Sequence, residues 1–425
     1  MFYVIRYDLK RIWFVGFEPR TNSSYKRKRY GRLVQWVRIW EAGNMFVFIT
    51  TLNKWVSSKV PRDYCLFKYK ELSNIGKYGD YVSYVLAKIN DKADKVLLGK
   101  FMKCRKKDKI RKKYGKNVCR IKGYILPNTL EVFSSEGIRI PLRIASNPAI
   151  TIKEDRVLLY IRVASIGGDF NVTSIVHAEA RINEMSGEIR LTARELLYPI
   201  MPYENVEDPR VDPLNDKELF HVRGFDVGNG AVITFRALLN EDHNEVLLME
   251  PIRFREEDGE EFVLRDYRDT FSLNDKYMIV RPFFRSIGTG GIFIGPRDEA
   301  VVSFRELNPI SELLPQEDEI KTGGNAVAKI SSNEYLLIYH CVDRHRVYYT
   351  YAAILSDDGE LLSMTKEPII VPSSGDYVGR RPGTVFVCGV AKYKDEIIIT
   401  AGKDDEIVLI YSIHEDDLFE KLENL

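Results

Sequence analysis

A chain of 425 residues with 45% hydrophobic and 29% charged positions has room for two or three domains, each with a core of its own. No stretch approaches the ~18 apolar residues of a membrane helix, and the first residues lack the charged-then-apolar order of a secretory signal. Five cysteines (Cys65, Cys104, Cys119, Cys341 and Cys388) without a Cys-x-x-Cys pair indicate neither a disulfide framework nor a zinc site, so the expected setting is a reducing cytoplasm.

The formal net charge of +2 conceals a polarity along the chain. Residues 1–125 carry 31 Lys and Arg against 9 Asp and Glu, and the remainder carries 32 against 52. Two regions with a boundary near 125–140 follow from that shift. In the first, aromatic and apolar positions alternate with basic ones over residues 2–7, 12–17, 33–40 and 45–50, the pattern of hairpins with one charged face. Residues 81–89 have the spacing of a short helix, and Lys103 to Lys116 is a dense basic run. A run of this kind is more often a solvated face, though with Tyr, Trp and Arg interleaved over the basic surplus of residues 1–125 it is also what a surface for nucleic acid or another polyanion looks like.

From about Ile138 the texture changes to short apolar runs separated by Gly, Pro, Asn and Asp. Five runs start at Asp155, Asn229, Asp275, Asn333 and Asp395, and they end at Arg162, Arg236, Arg281, His340 and Gly402. Each reads as the second arm of a hairpin. Their recurrence fits propeller blades of four strands better than a sandwich, which has no reason to repeat one strand type. The expected architecture is therefore all-β. A five-bladed β-propeller spans 136–425, preceded by a basic, mixed α/β region over 1–135 whose role is unassigned. In a propeller, equivalent positions of the blades share one funnel, so Arg162, Arg236, Arg281 and His340 would converge. Cations so placed repel one another unless an anion sits between them. The other reading is that they pair with the acidic surplus of this region.

Val206-Glu-Asp-Pro-Arg-Val211 bears on that choice. Together with Asn147-Pro148, Leu158–Val163, Leu336–His340 and Arg381–Gly389, it resembles glycoside hydrolase family 130. The resemblance implies a five-bladed propeller and an inverting phosphorylase, a glycosyl-transferring enzyme related to glycosidases. It would cleave a β-mannoside with inorganic phosphate to α-mannose 1-phosphate. It implies Asp208 as the general acid, its proton relayed to the leaving oxygen through a sugar hydroxyl. It places phosphate on Arg162, Arg281 and His340, with Tyr348 and Lys321 added, and the sugar on Asp404, Asn147 and Arg236. The partners are an oligosaccharide and inorganic phosphate as co-substrate, with no metal or other cofactor, because the cationic side chains supply the charge stabilisation. A phosphorylase needs one catalytic carboxylate, whereas an inverting hydrolase needs two about 6.5–9.5 Å apart. A phosphate-independent β-mannosidase and a non-catalytic sugar- or anion-binding propeller are the alternatives, and homo-oligomerisation is left open. Plain readings stand beside these roles: Glu207 and Arg210 bracing a loop, Asp208 shaping a turn before Pro209, Tyr348 packing, His340 as a structural histidine. The chain departs from the family at Arg236, where a small residue is usual, and in the segments Asp269–Leu273 and Gly323–Ala328.

Overall fold

The apolar runs become strands in the middle of sheets. In Arg156–Ser165 and Glu334–Asp343 nearly every residue is buried, because sheet faces pack on both sides of them. The computed structural model describes residues 2–8, 11–17, 40–41, 44–45, 75–105, 110–134, 137–166, 172–201, 204–225, 230–373 and 379–424.

Five larger sheets carry the molecule. The first runs outward from Leu142–Lys153 through Arg156–Ser165, Ser174–Arg181 and Leu191–Leu197, all antiparallel, to Leu130–Phe133, which joins in parallel. The second is an antiparallel meander of Asn205–Val211, Glu218–Phe225, Ala231–Leu239 and Val246–Pro251. The third begins with Phe271–Ser272, Tyr277–Val280 and Phe293–Asp298. The fourth is centred on Glu319–Lys329, Glu334–Asp343, Tyr348–Ser356 and Leu361–Thr365. The fifth contains Val385–Tyr393, Glu396–Lys403 and Ile407–His414, and is extended by Arg120–Ile125 from far earlier in the chain.

The apolar layers between these sheets follow one another in order. Leu158 and Tyr160 of the first sheet pack with Ile233 and Phe235 of the second. Phe220 of the second joins Phe271 and Ile279 of the third and Leu337 and Tyr339 of the fourth. Leu336 and Ile338 of the fourth meet Ile397 and Ile399 of the fifth. Ile398 and Ile410 of the fifth return to Leu159 and Ile161 of the first. The innermost strands also touch: Leu142–Lys153 and Glu319–Lys329 each contact both Asn205–Val211 and Val385–Tyr393.

Four innermost strands carry a register shift at the same level. The shifts fall between Ser146 and Ala149, Glu207 and Arg210, Gly324 and Ala326, and Val387 and Gly389. A bulge re-aims a side chain that a regular ladder would lock to one face. Asn147 and Asp208 sit in two of these bulges with φ of 49° each, and Asp269, just before the third sheet's inner strand, has φ of 51°. Asn and Asp tolerate this left-handed backbone best among residues with a side chain.

The N-terminal part supplies the expected hairpin Phe2–Asp8 with Arg11–Phe17 and the expected helix, which spans Ile75–Ala87. A second helix, Asp94–Cys104, docks Leu97 and Phe101 into the core between the third and fourth sheets. Part of the basic run serves structure: Arg111 is buried, donates to Glu319 and caps the carbonyls of Glu312 and Leu314. The sheets themselves take in Arg120–Ile125 and Leu130–Phe133, which the sequence reading assigns to the N-terminal region. The polyanion surface expected of residues 1–125 lies in large part outside the described residues, among them 18–39, 46–74 and 106–109. Among the described residues no helix is long and apolar enough to cross a membrane.

Candidate active site

Asp208 is set by its bulge in the lining of a cavity of about 370 Å³, to which strands of the first, second, fourth and fifth sheets contribute, with Asp269 and Arg281 flanking the inner strands of the third. The positive φ followed by Pro209 is a costly backbone state of about 1–3 kcal/mol, and such states gather at functional sites. The Asp208 Oδ1 atom accepts from Asn147 Nδ2 at 2.8 Å and from Arg162 Nη1 at 3.4 Å. Arg210, two residues on, donates back to the Asp208 carbonyl at 2.8 Å and holds the loop in place.

The two adjacent carboxylates are driven apart in acidity. Burial raises the Asp208 carboxyl above the ordinary range, and the Arg162 guanidinium only partly offsets it. Burial also opposes ionisation of Glu207, yet Arg162 at 3.1 Å and Arg268 at 3.0 Å outweigh it and hold that carboxyl low. One carboxyl is shifted up and its neighbour down, the separation expected of an acid catalyst beside a structural anion.

Across the cavity lies a basic wall. Arg281 gives only Nε to Asp269, at 2.8 Å, and its terminal nitrogens have no hydrogen-bond partner among the described residues. Lys321 Nζ lies 5.3 Å from the centre of the Tyr348 ring and has no ion-pair partner among the described residues. Burial pushes the Tyr348 phenol up, but Lys321 and Arg381 outweigh it and bring it below its ordinary value. A buried phenol acidified in this way reports a positive potential at the back of the cavity. Asp269 neutralises part of this wall. Burial opposes its charge, yet Arg281 and Arg210 (2.6 Å) hold it well below the usual carboxylate range.

The expected convergence of run ends holds for Arg162 and Arg281, which both line the cavity, though on different sides. Arg162 stands with the acids: Glu207, Asp208 and, at 3.9 Å, Asp405. His340 sits one layer behind, its ring against Tyr348 and Phe386. Asn325 donates Nδ2 to the Val387 carbonyl, so its Oδ1 is the acceptor and His340 Nδ1 carries the proton, at 2.9 Å. Burial drives the His340 pKa well below its ordinary value, which leaves a neutral ring with Nε2 unpartnered among the described residues.

Two expected site residues are corrected. Arg236 does not reach the cavity: it is bound to Glu218, Glu250 and Glu299. Its run forms the third strand of the second sheet, one place farther out than the runs it was matched with, so the shared funnel position does not apply. Asp404 is buried facing away, accepting from the Gly379 N–H at 3.0 Å. Its neighbour Asp405 lines the cavity and meets Asn147 at 3.3 Å and Arg381 at 3.4 Å. Asp404 and Asp405 have φ of 54° and 58°, and this turn sends their side chains to opposite sides. Asn147, Lys321, Tyr348 and Asp208 line the cavity, as does Glu207, which the sequence reading left as a brace.

A profile of the family described as β-1,4-mannooligosaccharide phosphorylase matches residues 109–424. The chain belongs to glycoside hydrolase family 130. The family comprises β-mannoside phosphorylases and related hydrolases, so the chain is that of an enzyme family. A solved β-1,2-mannobiose phosphorylase from Listeria innocua, in complex with β-1,2-mannobiose, shares the fold at 19% identity. The match has a TM-score of 0.51 and covers 66% of this chain and 92% of that one. A mannose phosphorylase from Leishmania mexicana, solved with a phosphate ion, matches at 14% identity and a TM-score of 0.46, over 69% of this chain and 89% of that one. No curated protein matches the chain.

Proposed function

We propose that the five larger sheets are the blades of a five-bladed propeller, and that its cavity cleaves a β-mannoside with inorganic phosphate to α-mannose 1-phosphate. The observation that carries the reading is a buried Asp208, its carboxyl pKa raised by burial, in one cavity with Arg281, Lys321 and Tyr348. Phosphate held by Arg281, Lys321 and Tyr348 attacks the anomeric carbon. The bond from that carbon to the leaving oxygen breaks as the bond to the phosphate oxygen forms, with inversion. Asp208 gives its proton to the leaving oxygen through a sugar hydroxyl, and the proton carried in by monohydrogen phosphate restores it. Asn147 and Asp405 hold the mannosyl hydroxyls, and Arg162 keeps the acids in register. Arg281 and Lys321 stabilise charge in a water-poor site, where such groups are most effective.

Hydrolysis would need a carboxylate free to act as base. Arg162 and Arg268 hold the Glu207 carboxyl low against its burial, which weakens it as a base, and Asp405 is engaged by Arg162, Asn147 and Arg381. The four free cysteines among the described residues (Cys104, Cys119, Cys341 and Cys388) suit a reducing cytoplasm. The test is incubation with β-1,2- and β-1,4-mannobiose, with and without phosphate. The expected result is α-mannose 1-phosphate formed only with phosphate. Mannose released at the same rate without phosphate would replace this reading with a β-mannosidase, and no turnover in either arm would leave a binding protein.

A further inference from the structure

The cavity holds more positive charge than one phosphate needs. Arg162, Arg268, Arg281, Arg285, Lys321 and Arg381 line it, with Arg380 beside them, against four carboxylates. Those carboxylates are already committed. Asp269 is shared by Arg210 and Arg281, Glu207 by Arg162 and Arg268, and Asp405 by Arg162 and Arg381. Asp208 is the remaining one, and its Oδ1 atom already accepts from Asn147 and Arg162.

The surplus is divided in space. Arg281 is buried, whereas the side chains of Arg268, Arg285 and Arg381 are 38%, 55% and 59% exposed on the same cavity. Arg285 and Arg381 each turn Nε to a carboxylate, Asp266 and Asp405 respectively, and their terminal nitrogens have no hydrogen-bond partner among the described residues. A guanidinium anchored at Nε keeps its terminal fork for a planar or tetrahedral oxyanion.

From this geometry we infer that the outer arginines form a second anion subsite, and that the leaving sugar carries a negative charge, as a sugar phosphate or a uronate does. The inference rests on the phosphorylase reading for the direction of the substrate. The deep cations take inorganic phosphate, and the mannosyl unit lies between. The acidic sugar then meets Arg268, Arg285 and Arg381 at the mouth. A neutral sugar would leave the terminal nitrogens of Arg285 and Arg381 without a charged partner, and the specificity of such a site comes from what it leaves unpaired.

The experiment is the reverse reaction: phosphate release from α-mannose 1-phosphate with mannose, glucose, mannose 6-phosphate, glucose 6-phosphate or glucuronate as acceptor. The expected result is a kcat/KM at least about ten-fold higher for one acidic acceptor than for its neutral parent. That preference should fall several-fold in Arg285→Ala and persist in Arg285→Lys, which keeps the charge. Equal use of acidic and neutral acceptors, or a preference untouched by Arg285→Ala, overturns the inference while leaving phosphorolysis standing. If no acceptor releases phosphate, phosphorolysis fails instead. Equilibrium titration with glucose 6-phosphate and glucose then reads the arm directly: tighter binding of the phosphate, lost in Arg285→Ala, supports it, and equal binding overturns it.

Discussion

At the scale of single residues, the proposed chemistry depends on the proton of Asp208. In Asp208→Asn the geometry survives but nothing can protonate the leaving oxygen. Turnover is expected to fall by about 10²–10⁴-fold, with an unchanged thermal melt. The pH profile follows from the raised pKa of Asp208. Its active form is the protonated one, so kcat/KM is full below that raised value and is lost as pH rises through it. A profile with no fall on the alkaline side of the ordinary carboxylate range would refute the assignment. Asp269 behaves in the opposite sense. Its carboxyl is held low, so its contribution to stability is present above the ordinary carboxylate pKa and disappears as pH falls. Asp269→Asn removes the ionised partner of buried Arg210 and Arg281, at an expected cost of about 3–5 kcal/mol by urea unfolding near neutral pH, shrinking toward acid. Most of these residues were legible because Glu-Asp-Pro-Arg and the apolar runs mark them in sequence. Asp405 was not: both members of Asp404-Asp405 are carboxylates, and only the left-handed turn decides which one faces inward.

At the scale of strands, four bulges shape the site, and two of them announce themselves as Asn147-Pro148 and Asp208-Pro209. The bulges around Asn325 and Cys388 carry no such mark, and propensity does not reveal them. The bulge at Asn147 has a receiving surface on the fifth sheet. A Cβ added to Gly402 would lie 1.7 Å from Asn147 Oδ1 and 2.7 Å from its backbone nitrogen. Gly402→Ala must therefore push back the residue whose amide holds Asp208. It is expected to lose about 1–3 kcal/mol of stability and to lower kcat together with the melting temperature. A variant with unchanged kcat would mean that Asn147 does not position the acid. The misplacement of Arg236 belongs to this scale as well. Its run, Ala231 to Arg236, has the texture of the others, but Glu218–Phe225 already occupies the second place in that sheet. Local pattern identifies a buried strand and does not say which place it takes in its sheet.

At the scale of the whole molecule, the succession of sheets could be read from the recurring runs, while the closing pairings could not. Arg120–Ile125 joins Ile407–His414 across nearly the full length of the chain, and Leu130–Phe133 joins Leu191–Leu197 in parallel. Pairings at such separation leave no periodicity to detect, which is why the charge shift near residue 125 drew the eye instead. Ile125 is fully buried in the layer between the fifth and first sheets. Ile125→Ala is expected to cost about 2–5 kcal/mol. It should also speed amide exchange in Glu396–Lys403 and Leu142–Lys153 together; faster exchange confined to residues 120–125 would show that the edge strand is merely appended. This pairing of distant segments has a consequence for how the enzyme is made. The strand at residue 120 leaves the ribosome long before its partner at 407, and Asp405 is translated with that late partner. A nascent chain therefore carries Asp208 and an uncovered sheet edge well before Lys321, Tyr348 and finally Asp405 are made, and Asp405 comes in the turn just before Ile407–His414. The last cavity residue and the partner of that edge are thus made together, so a chain cut short before residue 405 is expected to lack both.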